Sequence, residues 1–150
     1  MPGQQDLIRT RPEGSIRMKY IVFDLEWNQC PTGKEHEDPL LPFEILEIGA
    51  CRLNERLEQE DSFHSFVSPK VYKTLHYMTR RVIHLTKADL KNQPSFPEAC
   101  ARFFEWCGSD CVFCSWGPSD LYELQNNAPM TGEQAAFMTG LIETFWEEDL

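Results

Sequence analysis

Lys19-Tyr20-Ile21-Val22-Phe23-Asp24-Leu25-Glu26 is the stretch whose reading decides the fold. Residues 19–24 form a short apolar, β-rich run that ends in a carboxylate. That is the pattern of a buried central strand whose polar end emerges from its sheet. Residues two apart in a strand point to the same side, so Asp24 and Glu26 project together while Leu25 faces the other way. Two close carboxylates repel unless they share a cation. Oxygen-rich sites of this kind suit Mg²⁺ and Mn²⁺, and phosphoryl-transfer sites use two such ions about 3.5 to 4 Å apart. Taken alone, a D-x-E at a strand end is more often a solvated surface pair.

Downstream, a loop carries Pro31, Gly33, Pro39 and Pro42. Residues 44–53 (EILEIGACRL) and 61–67 (DSFHSFV) read as two more strands, and the polar connector 54–60 makes them an antiparallel hairpin. From Lys70 the chain turns helical, with Thr79 and Thr86 placed as N-caps and Asn92-Gln93-Pro94 separating two helices. Residues 96–107 place Phe96, Ala99, Cys100, Phe103, Phe104 and Cys107 on one helical face, with Gly108 as C-cap. Residues 111–116 read as a further buried strand, and the turn Gly117-Pro118-Ser119 delivers Asp120 to the first turn of a helix capped by Ser119. A carboxylate there also offsets the helix dipole, so Asp120 by itself reads as structural. Strand-to-helix junctions in α/β sheets are where ligands bind. Joined to Asp24 and Glu26 in the order strand-strand-strand-helix-helix-strand-helix, Asp120 becomes a site residue.

The chain has 150 residues, 41% hydrophobic and 12% aromatic, enough for the core of one domain. Residues 1–18 follow neither structural period and read as a flexible tail, which leaves 19–150 as the domain. Residues 131–147 read as an amphipathic terminal helix, with a capping box at Thr131 and Gln134 and a stripe of Phe137, Met138, Leu141, Ile142 and Phe145. That stripe suits a protein partner or a second copy of the chain. The net charge of -10 excludes a bulk electrostatic binder of nucleic acid, but not a nuclease, because bound cations invert the local field at a carboxylate site. No apolar run approaches the roughly 18 residues needed to span a bilayer, and no signal-peptide pattern opens the chain. Six cysteines sitting mostly in apolar runs read as unpaired thiols of a cytoplasmic protein. Cys107, Cys111 and Cys114 have a metal-like spacing without a nearby fourth ligand, which disfavours a zinc site.

Phe23-Asp24-Leu25-Glu26-Trp27-Asn28, Glu44-Ile45-Leu46-Glu47-Ile48-Gly49-Ala50 and Trp116-Gly117-Pro118-Ser119-Asp120-Leu121, in that order, resemble the DEDD superfamily of 3'-to-5' exonucleases. The resemblance is to its DnaQ-like, DEDDh-type branch and is strongest to the KapD-like, RNA-trimming members; it covers about residues 18–127. It implies an α/β, ribonuclease H-like mixed sheet flanked by helices. It also implies exonucleolytic hydrolysis of single-stranded RNA or DNA 3' ends with two Mg²⁺ or Mn²⁺ ions. By resemblance Asp24 and Glu26 ligate the metal pair, with Asp24 bridging, and Asp120 supports the second ion. Leu25 and Trp27 flank the terminal nucleotide, and Glu47 lies near the site as a structural residue.

The family's third motif, H-x-x-x-x-D, supplies a general base and a further metal ligand, and this sequence does not contain it. No His follows His84. The domain therefore reads as truncated at its C-terminal end, with a catalytically impaired nucleic-acid- or protein-binding remnant as the alternative function. His76 and His84 are the nearest other histidines, and no spacing aims them at Asp24.

Overall fold

The computed structural model describes residues 17–127. Four strands, β1 (Lys19–Gln29), β2 (Phe43–Leu53), β3 (Gln59–Phe66) and β4 (Cys111–Cys114), form one sheet in the order β3-β2-β1-β4. β2 pairs antiparallel with β3, as the short polar connector predicts, and also with β1, while β4 joins β1 in parallel after the helical crossover. Four helices accompany the sheet: α1 (Tyr77–Ile83), α2 (Lys87–Leu90), α3 (Phe96–Cys107) and α4 (Pro118–Asn127). The expected mixed α/β sheet is therefore the observed one. The expected terminal helix at 131–147 lies outside the described residues.

The alternation of β1 separates two faces. Ile21, Phe23 and Leu25 are buried, at 0%, 3% and 4% exposure, and pack with Ile48, Phe113 and the apolar stripe of α3. Phe103 is the hub of that layer, with ring centroids 6.1 Å from Phe23 and 5.4 Å from Phe63. Val22 and Asp24 on the opposite face are exposed and Glu26 is half-buried. Ser95 and Glu98 form a capping box at the start of α3, and Gly108 closes it at φ 68, a left-handed conformation that suits glycine.

Several boundaries differ from the sequence reading. β1 does not stop at Asp24. A bulge after Glu26 shifts the pairing from Glu26 opposite Glu47 to Trp27 opposite Ile45, and the strand continues to Gln29. His76, not Thr79, caps α1 through its ring nitrogen at Met78 N. The Thr79 hydroxyl instead donates to the Trp27 carbonyl at 3.2 Å. α4 begins at Pro118, which places Ser119 inside its first turn rather than at the cap. Pro at the first helical position loses no hydrogen bond there.

The end of β1 is stitched to the segment before α1 by buried polar groups. Asn28, fully buried, donates to Thr74 O at 3.0 Å and accepts from His76 N at 2.9 Å. The buried carboxylate of Glu44 accepts from the backbone N–H groups of Lys70, Val71 and Tyr72, at 2.5, 2.8 and 3.1 Å. Glu44→Ala removes the acceptor for three N–H groups and is expected to cost about 3 kcal/mol, read as a lowered midpoint in thermal unfolding.

Candidate active site

Asp24 and Glu26 share the exposed face of β1 because they stand two residues apart in one strand. Asp120 reaches them through a shortened neighbour. β4 pairs with β1 only as far as Val22 opposite Cys114, so the β1 backbone beyond that point lacks a strand partner on this edge. The chain turns there, with Ser115 Oγ donating to Gly117 O at 2.6 Å, and α4 begins. Asp120 Oδ1 then accepts the Leu25 N–H at 3.3 Å, taking the place of the missing ladder acceptor. The three acids singled out in the sequence are thus brought to one edge of β1.

A fourth acid joins them. Glu47 on β2 stands opposite Glu26 in the sheet register, and its Oε1 lies 2.6 Å from His64 Nε2 on β3. Burial pushes the Glu26 carboxyl up, and the charges of Asp24, Glu47 and Asp120 push it further. Burial likewise raises Asp120, helped by Asp24 and opposed by the Leu25 N–H bond. Among the described residues, no Lys or Arg forms an ion pair with any of these four carboxylates. Gly49 stands between Asp24 and His64 in the same cross-strand row and leaves the floor there open. Val22, Asp24, Gly49, Cys51, Cys114 and Trp116 line a depression of about 480 Å³ on this face, and the Trp116 side chain is fully exposed.

All-oxygen donors of one sign without compensating cations match the chemistry of a hard divalent ion. Among the described residues, no three Asp, Glu, His or Cys side chains stand close enough to enclose one ion, so the acids surround a space without closing on it. Asp24, Glu26 and Asp120 are the residues that would hold such an ion.

The neighbours of these acids occupy different surroundings. The Leu25 side chain is in the core, and only its N–H faces the acids. Trp27 is half-buried, 5.8 Å from the Phe43 ring and packed on the core cluster. Sequence reasoning undervalued Glu47, whose place opposite Glu26 is set by the register of β1 against β2. His76 caps α1 and lies 3.2 Å from Gln29 Nε2, His84 ends α1 at φ 54, and neither contacts an acid of the site. Burial holds the thiols of Cys100 and Cys107 up at about 11 and about 12, well away from the thiolate a metal or nucleophile needs. Glu123, one turn after Asp120, is buried with Oε2 unpartnered among the described residues, and burial raises its carboxyl.

An exonuclease family model of the RNase T type matches residues 21–139. The chain belongs to this DEDD exonuclease family. No curated protein sequence matches it. Among solved structures, a full-length 3'-exonuclease superposes at TM-score 0.60 with 20% identity, over 76% of this chain and 39% of that one. The nuclease domain of 3'hExo, a DEDDh family member bound to rAMP, gives 0.59 at 21% identity, over 73% and 56%. Exonuclease I of E. coli in complex with a dA16 oligonucleotide gives 0.59 at 10% identity, over 73% and 23%. At these identities the likeness is one of fold, the ribonuclease H-like exonuclease sheet. The chain spans 39% and 56% of the lengths of the first two. The described residues include no helix long and apolar enough to cross a membrane.

The raised acids of this RNase T-type domain dictate the sign of a pH effect. A carboxyl whose pKa is higher folded than unfolded holds a proton in the folded state that the unfolded chain has released. Its contribution is greatest below the unfolded values of 3.8 for Asp120 and 4.5 for Glu26 and Glu123, and is lost as pH rises through the folded values. Metal-free protein in EDTA is therefore expected to gain stability as pH falls from 7 toward about 4.5. Below that range, protonation of Asp89 and Glu98, both held low by their capping hydrogen bonds, reverses the trend. Denaturant midpoints measured across this range check both limbs.

Proposed function

We propose that this chain is a metal-dependent 3'-to-5' exonuclease that removes nucleotides from single-stranded ends, RNA in preference to DNA, in the manner of the KapD-like branch. The observation that carries the reading is the meeting of Asp24, Glu26 and Asp120 on one rim within the family match. Mg²⁺ or Mn²⁺, when bound, supplies Lewis-acid stabilisation of the attacking and leaving oxygens. Asp24 and Glu26 would hold ions from one strand, and Asp120, oriented by the Leu25 N–H, would hold them from the facing helix. The raised proton affinity of Glu26 and Asp120 sets proton against cation, so loading would require both acids to be deprotonated. Trp27 is the aromatic neighbour assigned to the terminal nucleotide, and Leu25 contributes through its backbone. Six free cysteines suit a reducing cytoplasm.

A second reading, an impaired module that binds nucleic acid or protein without cleaving, is favoured by the placement of the histidines. His36 lies 3.2 Å from Thr32 O, His64 is held by Glu47, and His76 and His84 cap α1, so among the described residues no imidazole is hydrogen-bonded to Asp24, Glu26 or Asp120. Incubation of 5'-labelled single-stranded RNA and DNA with the protein in Mn²⁺, Mg²⁺ or EDTA separates the two readings. The expected result is a ladder of stepwise shortening with metal, faster on RNA, absent in EDTA and absent for Asp24→Ala. RNA left intact in Mn²⁺ would leave the impaired module standing.

A further inference from the structure

Beyond the carboxyl end of β1 lies a second depression, of about 520 Å³, lined by Pro31, Thr74, Tyr77, Arg80, Thr86 and Lys87 among others. Its charge opposes that of the molecule. The chain carries 24 acidic against 14 basic residues, yet this lining holds two cations and no carboxylate. Neither cation is neutralised: among the described residues Arg80 and Lys87 enter no ion pair, and the Lys87 ammonium donates only to the backbone carbonyl of Lys73. The acid nearest in sequence, Asp89, is occupied in the capping box of α2, where it accepts from Thr86 N and Oγ1, each at 2.7 Å.

An aromatic face adjoins these cations. Tyr77 is 59% exposed, and its ring lies 4.6 Å from the His76 ring at an interplanar angle of 36°. His76 is itself held by Gln29 and by its capping bond, so the exposed ring has a fixed backing. A cationic groove with an exposed aromatic is the combination by which proteins hold single strands, the cations on phosphates and the ring under a base. Arg80 offers a planar fork of donors to phosphate oxygens and Lys87 a point charge.

The groove is coupled to the acid site through β1. Asn28 holds Thr74 and His76, and the Thr79 hydroxyl holds Trp27, the residue after Glu26. Four residues lie between Glu26 and Pro31, so these two positions stand at most about 18 Å apart along the chain.

We propose that this groove binds the sugar–phosphate backbone of a single-stranded nucleic acid a few nucleotides from the end held at the acids, with Arg80 and Lys87 on phosphates and Tyr77 stacked on a base. The assignment of polarity rests on the exonuclease reading; the groove's affinity for a single strand stands on its own charges and ring.

Fluorescence anisotropy of the full chain with a 5'-fluorescein single-stranded RNA of about ten nucleotides, in EDTA so that no cleavage occurs, tests it. Arg80→Ala combined with Lys87→Ala is expected to weaken binding about tenfold and to flatten the slope of log K against log salt by about 1.4, or 0.7 for each lost phosphate contact. Tyr77→Ala is expected to weaken binding about tenfold with the slope unchanged, as for a stacking contact. Arg56→Ala, an exposed cation paired with Glu58 outside the groove, controls for general charge loss. A double variant that binds with the parent's affinity and slope overturns the proposal, as does a parent that binds no RNA. If the parent shortens RNA in Mn²⁺ while the groove variants bind it normally, the groove fails and the exonuclease reading stands. If the groove variants lose binding but the parent never shortens RNA, the reverse holds.

Discussion

The hydrogen bond from the Leu25 amide to Asp120 Oδ1 is the joint on which the site depends. It exists because β4 is short. Pairing with β1 ends at Val22 opposite Cys114, and a buried N–H without an acceptor would cost about as much as a lost hydrogen bond. A carboxylate from the first turn of α4 meets that requirement and, in doing so, enters the field of Asp24 and Glu26. Structural need and chemical use coincide in one residue. At 8% exposure, Asp120 would be an expensive ion without the amide and without a cation to share.

Charge is distributed in keeping with that arrangement. Four carboxylates face one rim without a Lys or Arg partner among the described residues, and two of them, Glu26 and Asp120, are raised chiefly by their burial. The unpaired Arg80 and Lys87 line the groove beyond the carboxyl end of the same strand. The β1 segment Trp27–Gln29, anchored to the chain before α1 by Asn28 and Thr79, keeps the two charge patterns at a set separation.

Periodicity made much of this legible. The alternation of Ile21, Phe23 and Leu25 against Asp24 and Glu26, the hairpin from a short polar connector, the 3.6-residue stripe of α3 and the Gly108 cap depend on neighbours in sequence, and all four are present. The misplaced boundaries at β1 and α1 each trace to a partner distant in sequence. Ile45, Glu44 and Phe43 extend β1 beyond a bulge, and Trp27 takes the Thr79 hydroxyl that local pattern assigns to a cap.

From the sequence alone came the fold class and the family, because strand alternation and motif order are encoded residue by residue. Tertiary structure decided what surrounds Asp24, Glu26 and Asp120. Glu47 faces Glu26 only once the register of β1 against β2 is chosen, and Asp120 points at β1 only because β4 ends early. Leu25 was expected beside a nucleotide but turns its side chain into the core. Arg80, Lys87 and Tyr77 form one wall because buried hydrogen bonds between β1 and the chain before α1 draw that segment in. Electrostatic fields and hydrogen bonds act through space, and the distances they act over are set by packing.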